Sequence, residues 1–165
     1  MKFKNTTIYS THIDSSLGGV TLAATDKGLA GVWFDQQRHW PDTAGWQADA
    51  NHPVLMEAAA QLMDYFAGRR KHFDLTLDLS HGTAFQQSVW QALLAIPAGQ
   101  TTSYGALSAG VGNPAAVRAV GAAVGRNPIS VIVPCHRVLG SDGSLTGYAG
   151  GLDRKTALLE LEGAL

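Results

Sequence analysis

The sequence predicts an α+β protein in two parts, and three observations carry that prediction. A β-hairpin signal near the start, a helix-spaced apolar run opening at Pro53, and a glycine-punctuated helical stretch after residue 80 divide the chain between them. Nine of the thirteen acidic residues fall in the first 80 positions, so the texture changes at the same place. The expected division is therefore 1–80 and 81–165, a small α+β lobe followed by a mainly helical domain.

In GGVTLAATDKGLAGVWFD the β-prone runs 20–24 and 29–34 flank Asp26, Lys27 and Gly28, a combination that closes a hairpin. Pro53 opens a helix readily, because the first turn has no use for the N–H it lacks. PVLMEAAAQLMDYFAG then repeats apolar side chains at helical spacing until Gly68. Phe73, Leu75, Leu77 and Leu79 alternate as a strand does. Thr83 and Gln86 form a capping-box pair ahead of FQQSVWQALLAI, which Pro97, Ala98 and Gly99 end. Ser103 caps YGALSAGV, which stops at Gly112 and Asn113, and Pro114 sits in the first turn of PAAVRAVGAAVGR. Two short helices joined by so tight a turn make a helix-turn-helix candidate. The run 130–133 then reads as a short β-prone segment leading to Pro134 and Cys135.

With 165 residues, 45% hydrophobic and 15% charged, the chain is long enough for one core or for two small lobes. No stretch approaches the roughly 20 apolar residues of a membrane span. The start MKFKNTTIYS lacks the apolar block of a secretory signal, so a cytoplasmic protein with no membrane partner is expected. A net charge of -1 excludes a polycation. Between Asp78 and Asp142, however, there is no acid at all, while Arg118, Arg126 and Arg137 fall in that segment. Such a stretch can lie against a phosphate backbone without like-charge repulsion.

Cys135 is the only cysteine, which excludes an internal disulfide and any zinc site built from several thiolates. A lone buried cysteine usually serves as small apolar packing. Packing has no need of the adjacent His136 and Arg137, though, and that grouping points to a reagent. An unperturbed thiol is mostly protonated at neutral pH and needs a base or a positive field. In an extended backbone His136 would point away from the sulfur, so direct help requires a turn at Cys135 or a bridging water. The imidazole in turn needs an acid to orient it, for which Asp142, Asp153, Glu160 and Glu162 are the local candidates. A cysteine hydrolase is a weaker reading, since no oxyanion-loop signature accompanies the pair.

VPCHRVLG, preceded by GRNPIS and followed by GYAGGLDRKTALLELEG, closely resembles the methylated-DNA–protein-cysteine methyltransferases, and TTSYGALSAGVGNPAAVRAVGAA extends the likeness upstream. The resemblance runs from about residue 83 to the C-terminus; in the first eighty residues only the pattern matches, as a ribonuclease-H-like lobe. It implies single-turnover repair of 6-O-alkylguanine in double-stranded DNA, bound through the minor groove with the nucleotide extruded, and it leaves 4-O-alkylthymine open as a second substrate. A monomer needing no cofactor and no metal is implied, with cooperative binding along DNA left open. A zinc site of the kind some relatives carry in the first lobe is not expected, because no cysteine stands there.

The resemblance also implies roles. Cys135 is the alkyl acceptor, His136 the base acting through a water, Glu162 the acid orienting His136, and Asn127 the bridge from the helix-turn-helix to the cysteine. Tyr104 faces the lesion and donates to the departing guanine. Arg118 fills the vacated base stack, with Ala115, Ala119 and Gly121 letting the helix approach the groove closely. Val138, Tyr148, Ala149, Gly150 and Ser130 line the pocket. Position 149 is alanine where some relatives carry serine, and position 130 is serine where some carry proline.

Overall fold

A computed structural model describes Phe3 and residues 5–165. It contains two compact units, one formed by the residues up to His81 together with Pro128–Ser130, the other by Gly82–Asn127 and Val131–Leu165.

The first unit is a four-stranded sheet in the order β3-β2-β1-β4 with one helix packed on it. Its strands are β1 (Tyr9–Ser15), β2 (Gly18–Thr25), β3 (Gly28–Phe34) and the two-residue β4 (Gln47–Ala48). The β2–β3 hairpin lies where the sequence predicts it, and β3 is buried along its whole length. Strand β1 is not predicted by the sequence, because YSTHIDS is half-exposed and carries little apolar signal. Its turn into β2 is local chemistry: the Ser15 hydroxyl accepts from Leu17 N and donates to the Gly18 carbonyl. Helix α1 (Pro53–Phe66) starts at the expected proline and ends before Gly68, whose φ of 78° is one that glycine adopts without strain. It buries Leu55, Ala58, Leu62 and Tyr65.

The alternating leucines of 73–79 do not form a ladder. Only Leu77 bridges to Leu29, although Leu29 N and the Leu29 carbonyl both bond the segment, at 2.9 and 2.7 Å. The Gln61 side chain takes up both the amide and the carbonyl of Asp74, satisfying that backbone without a neighbouring strand. Gly28 permits the close approach, since a Cβ there would stand 2.6 Å from the Thr76 carbonyl oxygen.

The second unit is built from α2 (Ala84–Leu94), α3 (Tyr104–Gly110), α4 (Val117–Gly125) and α5 (Leu152–Leu161), with a small parallel pair β5 (Thr102–Ser103) and β6 (Val138–Leu139). Thr83 and Gln86 make the reciprocal capping box, and the Ser103 hydroxyl accepts from Ala106 N. Helices α3 and α4 pack together as the helix-turn-helix. The second of them begins at Val117 rather than at Pro114, because Ala116 N closes a turn onto the Asn113 carbonyl first. The expected strand at 130–133 is also corrected: the run is a series of turns, and Val131 has a φ of 71°. That conformation is strained for a β-branched residue. Among the described residues no helix is long and apolar enough to cross a membrane.

Candidate active site

The turns deliver Cys135 in a defined way. Pro134, at φ -83° and ψ 65°, centres an inverse γ-turn in which Cys135 N bonds the Val133 carbonyl at 2.8 Å. Cys135–Arg137 then form a single turn of 3-10 helix. The chain therefore does turn at the cysteine, so adjacent side chains are no longer held on opposite faces as in a strand.

His136 and Arg137 converge on one carboxylate, which closes α5. His136 Nε2 and Glu162 Oε2 lie 2.8 Å apart. Arg137 donates from Nε to Oε1 and from Nη2 to Oε2, each at 2.8 Å, and its Nη1 bonds the Ile96 carbonyl. His136 is fully buried and Glu162 nearly so. Of the four acids within reach in sequence, the fold brings Glu162 to the imidazole. Burial pushes His136 below its usual pKa, and the Glu162 hydrogen bond only partly opposes this, so the ring is neutral at neutral pH. With Nε2–H donating to the carboxylate, Nδ1 carries the lone pair. This atom is buried and has no hydrogen-bond partner among the described residues. The Tyr148 ring stands edge-on to the imidazole at 6.5 Å.

Cys135 is 5% exposed, and burial pushes its thiol up. Two side chains oppose that shift, Asn127 by hydrogen bonding and Lys155 by its charge, and a backbone hydrogen bond at Cys135 adds to them. Asn127 also donates from Nδ2 to the Val133 carbonyl at 2.7 Å, tying the end of α4 to the cysteine loop. At rest the thiol holds its proton, so a base rather than a standing positive field must activate it.

Lys155 is not among the residues the sequence singles out. It is 0% exposed, and its Nζ donates to the carbonyls of Val138, Thr146 and Gly147 at 2.6, 2.9 and 3.1 Å. Burial lowers it to a pKa of about 8. A signal was present: residues 155, 158, 159 and 162 fall at i, i+3, i+4 and i+7, so Lys155 and Glu162 occupy the inward stripe of α5 beside Leu158 and Leu159.

A cavity of about 620 Å³ opens between α3, α4 and the 141–147 segment, lined by Tyr104, Val117, Arg118, Gly121, Thr146 and Gly147 among others. Tyr104 is half-buried. Burial raises its pKa, and a thiolate at Cys135 would raise it further, so its hydroxyl keeps its proton. The Tyr104 hydroxyl reaches the Thr146 carbonyl at 3.5 Å, and the sulfur itself does not line the cavity. Arg118, Ala115 and Ala119 are exposed on and just before α4, and Gly121 faces the Tyr104 ring, which a Cβ would meet at 3.8 Å. Val138 is fully buried, whereas Ala149 and Gly150 are half-buried. Ser130 belongs to the first unit, where its amide bonds the Val32 carbonyl and its hydroxyl reaches Gln37.

Two family models match the chain. The DNA binding domain of 6-O-methylguanine DNA methyltransferase covers residues 84–164, and the ribonuclease-like domain of the same proteins covers residues 8–79. The methylated-DNA–protein-cysteine methyltransferase of Mycobacterium tuberculosis is 51% identical over 150 residues, 91% of this chain and 89% of that one. The Methanosarcina acetivorans protein of the same name is 48% identical over 95% and 99% of the two chains. Among solved structures, the M. tuberculosis OGT in complex with DNA superposes with a TM-score of 0.87 at 48% identity, covering 94% of this chain and 93% of that one.

Proposed function

The chain belongs to the 6-O-methylguanine DNA methyltransferase family, and from that premise we propose that Cys135 takes the alkyl group from the 6-oxygen of an extruded guanine in duplex DNA, once and irreversibly. The observation that carries this reading is the buried Glu162–His136 pair, whose second imidazole nitrogen has no partner among the described residues and belongs to the residue that follows the sole cysteine in sequence.

One water bridging Cys135 and His136 Nδ1 passes the thiol proton to the imidazole, and Glu162 stabilises the imidazolium that forms. Arg137 holds both oxygens of Glu162, so the carboxylate is oriented before the reaction begins. The thiolate attacks the alkyl carbon, a carbon–sulfur bond forms, and the carbon–oxygen bond breaks with its electron pair passing to guanine. Tyr104 donates its hydroxyl proton to the ring nitrogen that gains this charge, leaving the Thr146 carbonyl to do so, and recovers a proton from solvent. The product is a thioether that no ordinary step reverses.

DNA is the partner of the helix-turn-helix domain. We assign α4 to the minor groove, with Arg118 entering the stack where the damaged nucleotide leaves it; the exposed small residues Ala115 and Ala119 favour close approach. Arg118→Ala should slow repair of duplex DNA at least about tenfold and leave transfer from the free alkylated base nearly unchanged, because only the duplex loses its filled stack. Equal losses on both substrates would remove Arg118 from that role. The protein acts as a monomer in this reading.

The test of the reading is stoichiometry. Excess duplex carrying 6-O-methylguanine should be repaired to a plateau of one lesion per protein molecule. Continued repair beyond that plateau would mean a regenerated thiol and a different reaction.

A further inference from the structure

The last turn of α4 is wound more tightly than the rest, and a tryptophan from α2 replaces the donor this removes. Asn127 N bonds the Val124 carbonyl, three residues back, at 3.2 Å, where a regular helix would use Ala123. The Ala123 carbonyl therefore lacks its usual amide and keeps only a shared bond from Arg126 N at 3.2 Å. Trp90, fully buried, points its indole Nε1–H at that oxygen from 2.9 Å. A buried indole needs some acceptor, and many carbonyls would serve. The one used lies four residues before Asn127, whose side chain holds the Val133 carbonyl and reaches the Cys135 sulfur.

We propose that Trp90 is a positioning residue for alkyl transfer: by occupying the Ala123 carbonyl, its indole N–H keeps the Asn127 amide out of the regular helical ladder and the Asn127 side chain on the cysteine loop. Without that donor, the cheapest way to satisfy Ala123 is to extend α4 by one regular bond from Asn127 N. That bond turns the Asn127 side chain about the helix axis and takes a hydrogen-bond donor from the sulfur. Gly82 fixes the ring from its other side, since a Cβ there would stand 2.3 Å from Trp90 Cζ3 and 2.5 Å from Cη2. The inference rests on Cys135 as the acceptor.

The test replaces Trp90 in the full chain with β-(3-benzothienyl)alanine, which keeps both fused rings and exchanges N–H for sulfur. Carbamidomethylation of Cys135 by iodoacetamide, followed by peptide mass against pH, should show the midpoint moving to higher pH. Each unit of that movement lowers the neutral-pH rate about tenfold. In an Asn127→Ala background the same replacement should add nothing. Gly82→Ala, which displaces the ring and retains the N–H, should shift the profile in the same direction and keeps the test decisive where the analogue folds poorly. An unmoved midpoint in both variants, or an equal shift in the Asn127→Ala background, overturns the proposal. Failure of the wild-type protein to take a methyl group from duplex DNA would instead defeat the function proposed above, and the iodoacetamide profile reads independently of it.

Discussion

Glu162→Gln should slow methyl transfer by about 10²- to 10⁴-fold while leaving affinity for duplex DNA nearly unchanged. The carboxylate accepts from His136 Nε2, and that bond places the imidazole lone pair on Nδ1. A glutamine amide at the same position can donate to Nε2 instead, which moves the ring proton to Nδ1 and leaves no basic nitrogen for the thiol proton in the proposed relay. Arg118, which the proposed reading places in the DNA stack, is exposed on α4 and makes none of the bonds to Glu162, so affinity should not change. Stability should fall as well. Arg137 is nearly buried and loses the charge that pairs with both its Nε and Nη2, a change that costs about 3–5 kcal/mol. Single-turnover transfer and chemical denaturation measured on the same preparation separate the two effects. A variant that binds DNA poorly but transfers at the normal rate once saturated would contradict the assigned role.

Lys155→Met should cost about 2 kcal/mol or more and slow transfer with it. The ammonium satisfies three carbonyls, two of them in the segment that also bears the acceptor of the Tyr104 hydroxyl. Methionine fills the space but leaves all three unmet. The pH dependence has a definite sign. Between pH 8 and 10.5, an unfolded lysine still binds the proton that folded Lys155, at about 8, has released. Unfolding therefore takes up protons, and this residue makes stability rise with pH across that window. Denaturation midpoints of the wild-type protein should gain on those of Lys155→Met from pH 8 to 10. A difference that is flat or narrows would contradict the buried, depressed ammonium.

The elements legible in the sequence were those closed by local chemistry. Pro53 opens α1, Thr83 with Gln86 opens α2, and Ser103 opens α3, each through bonds spanning a few residues. Strand β1 escaped notice because its partner, not its composition, makes it a strand. The run 130–133 misleads for the opposite reason: after Ser130 its residues are apolar and β-branched because they are buried, and they are buried as turns. In the site, Cys135, His136 and Arg137 announced themselves by adjacency. Glu162 could be chosen among four acids only by resemblance, since α5 must fold back on the 3-10 turn before any distance exists. Lys155 went unread because a lysine between leucines passes for a solvated face until three carbonyls are found around it.

In the proposed reaction one sulfur is consumed when it accepts carbon from DNA. Intact-mass measurement after incubation with a duplex containing 6-O-methylguanine should show one methyl replacing one proton, mapped to the peptide bearing Cys135 and lost in Cys135→Ser. An unchanged mass while the lesion disappears, or a methyl group on any other residue, would contradict it.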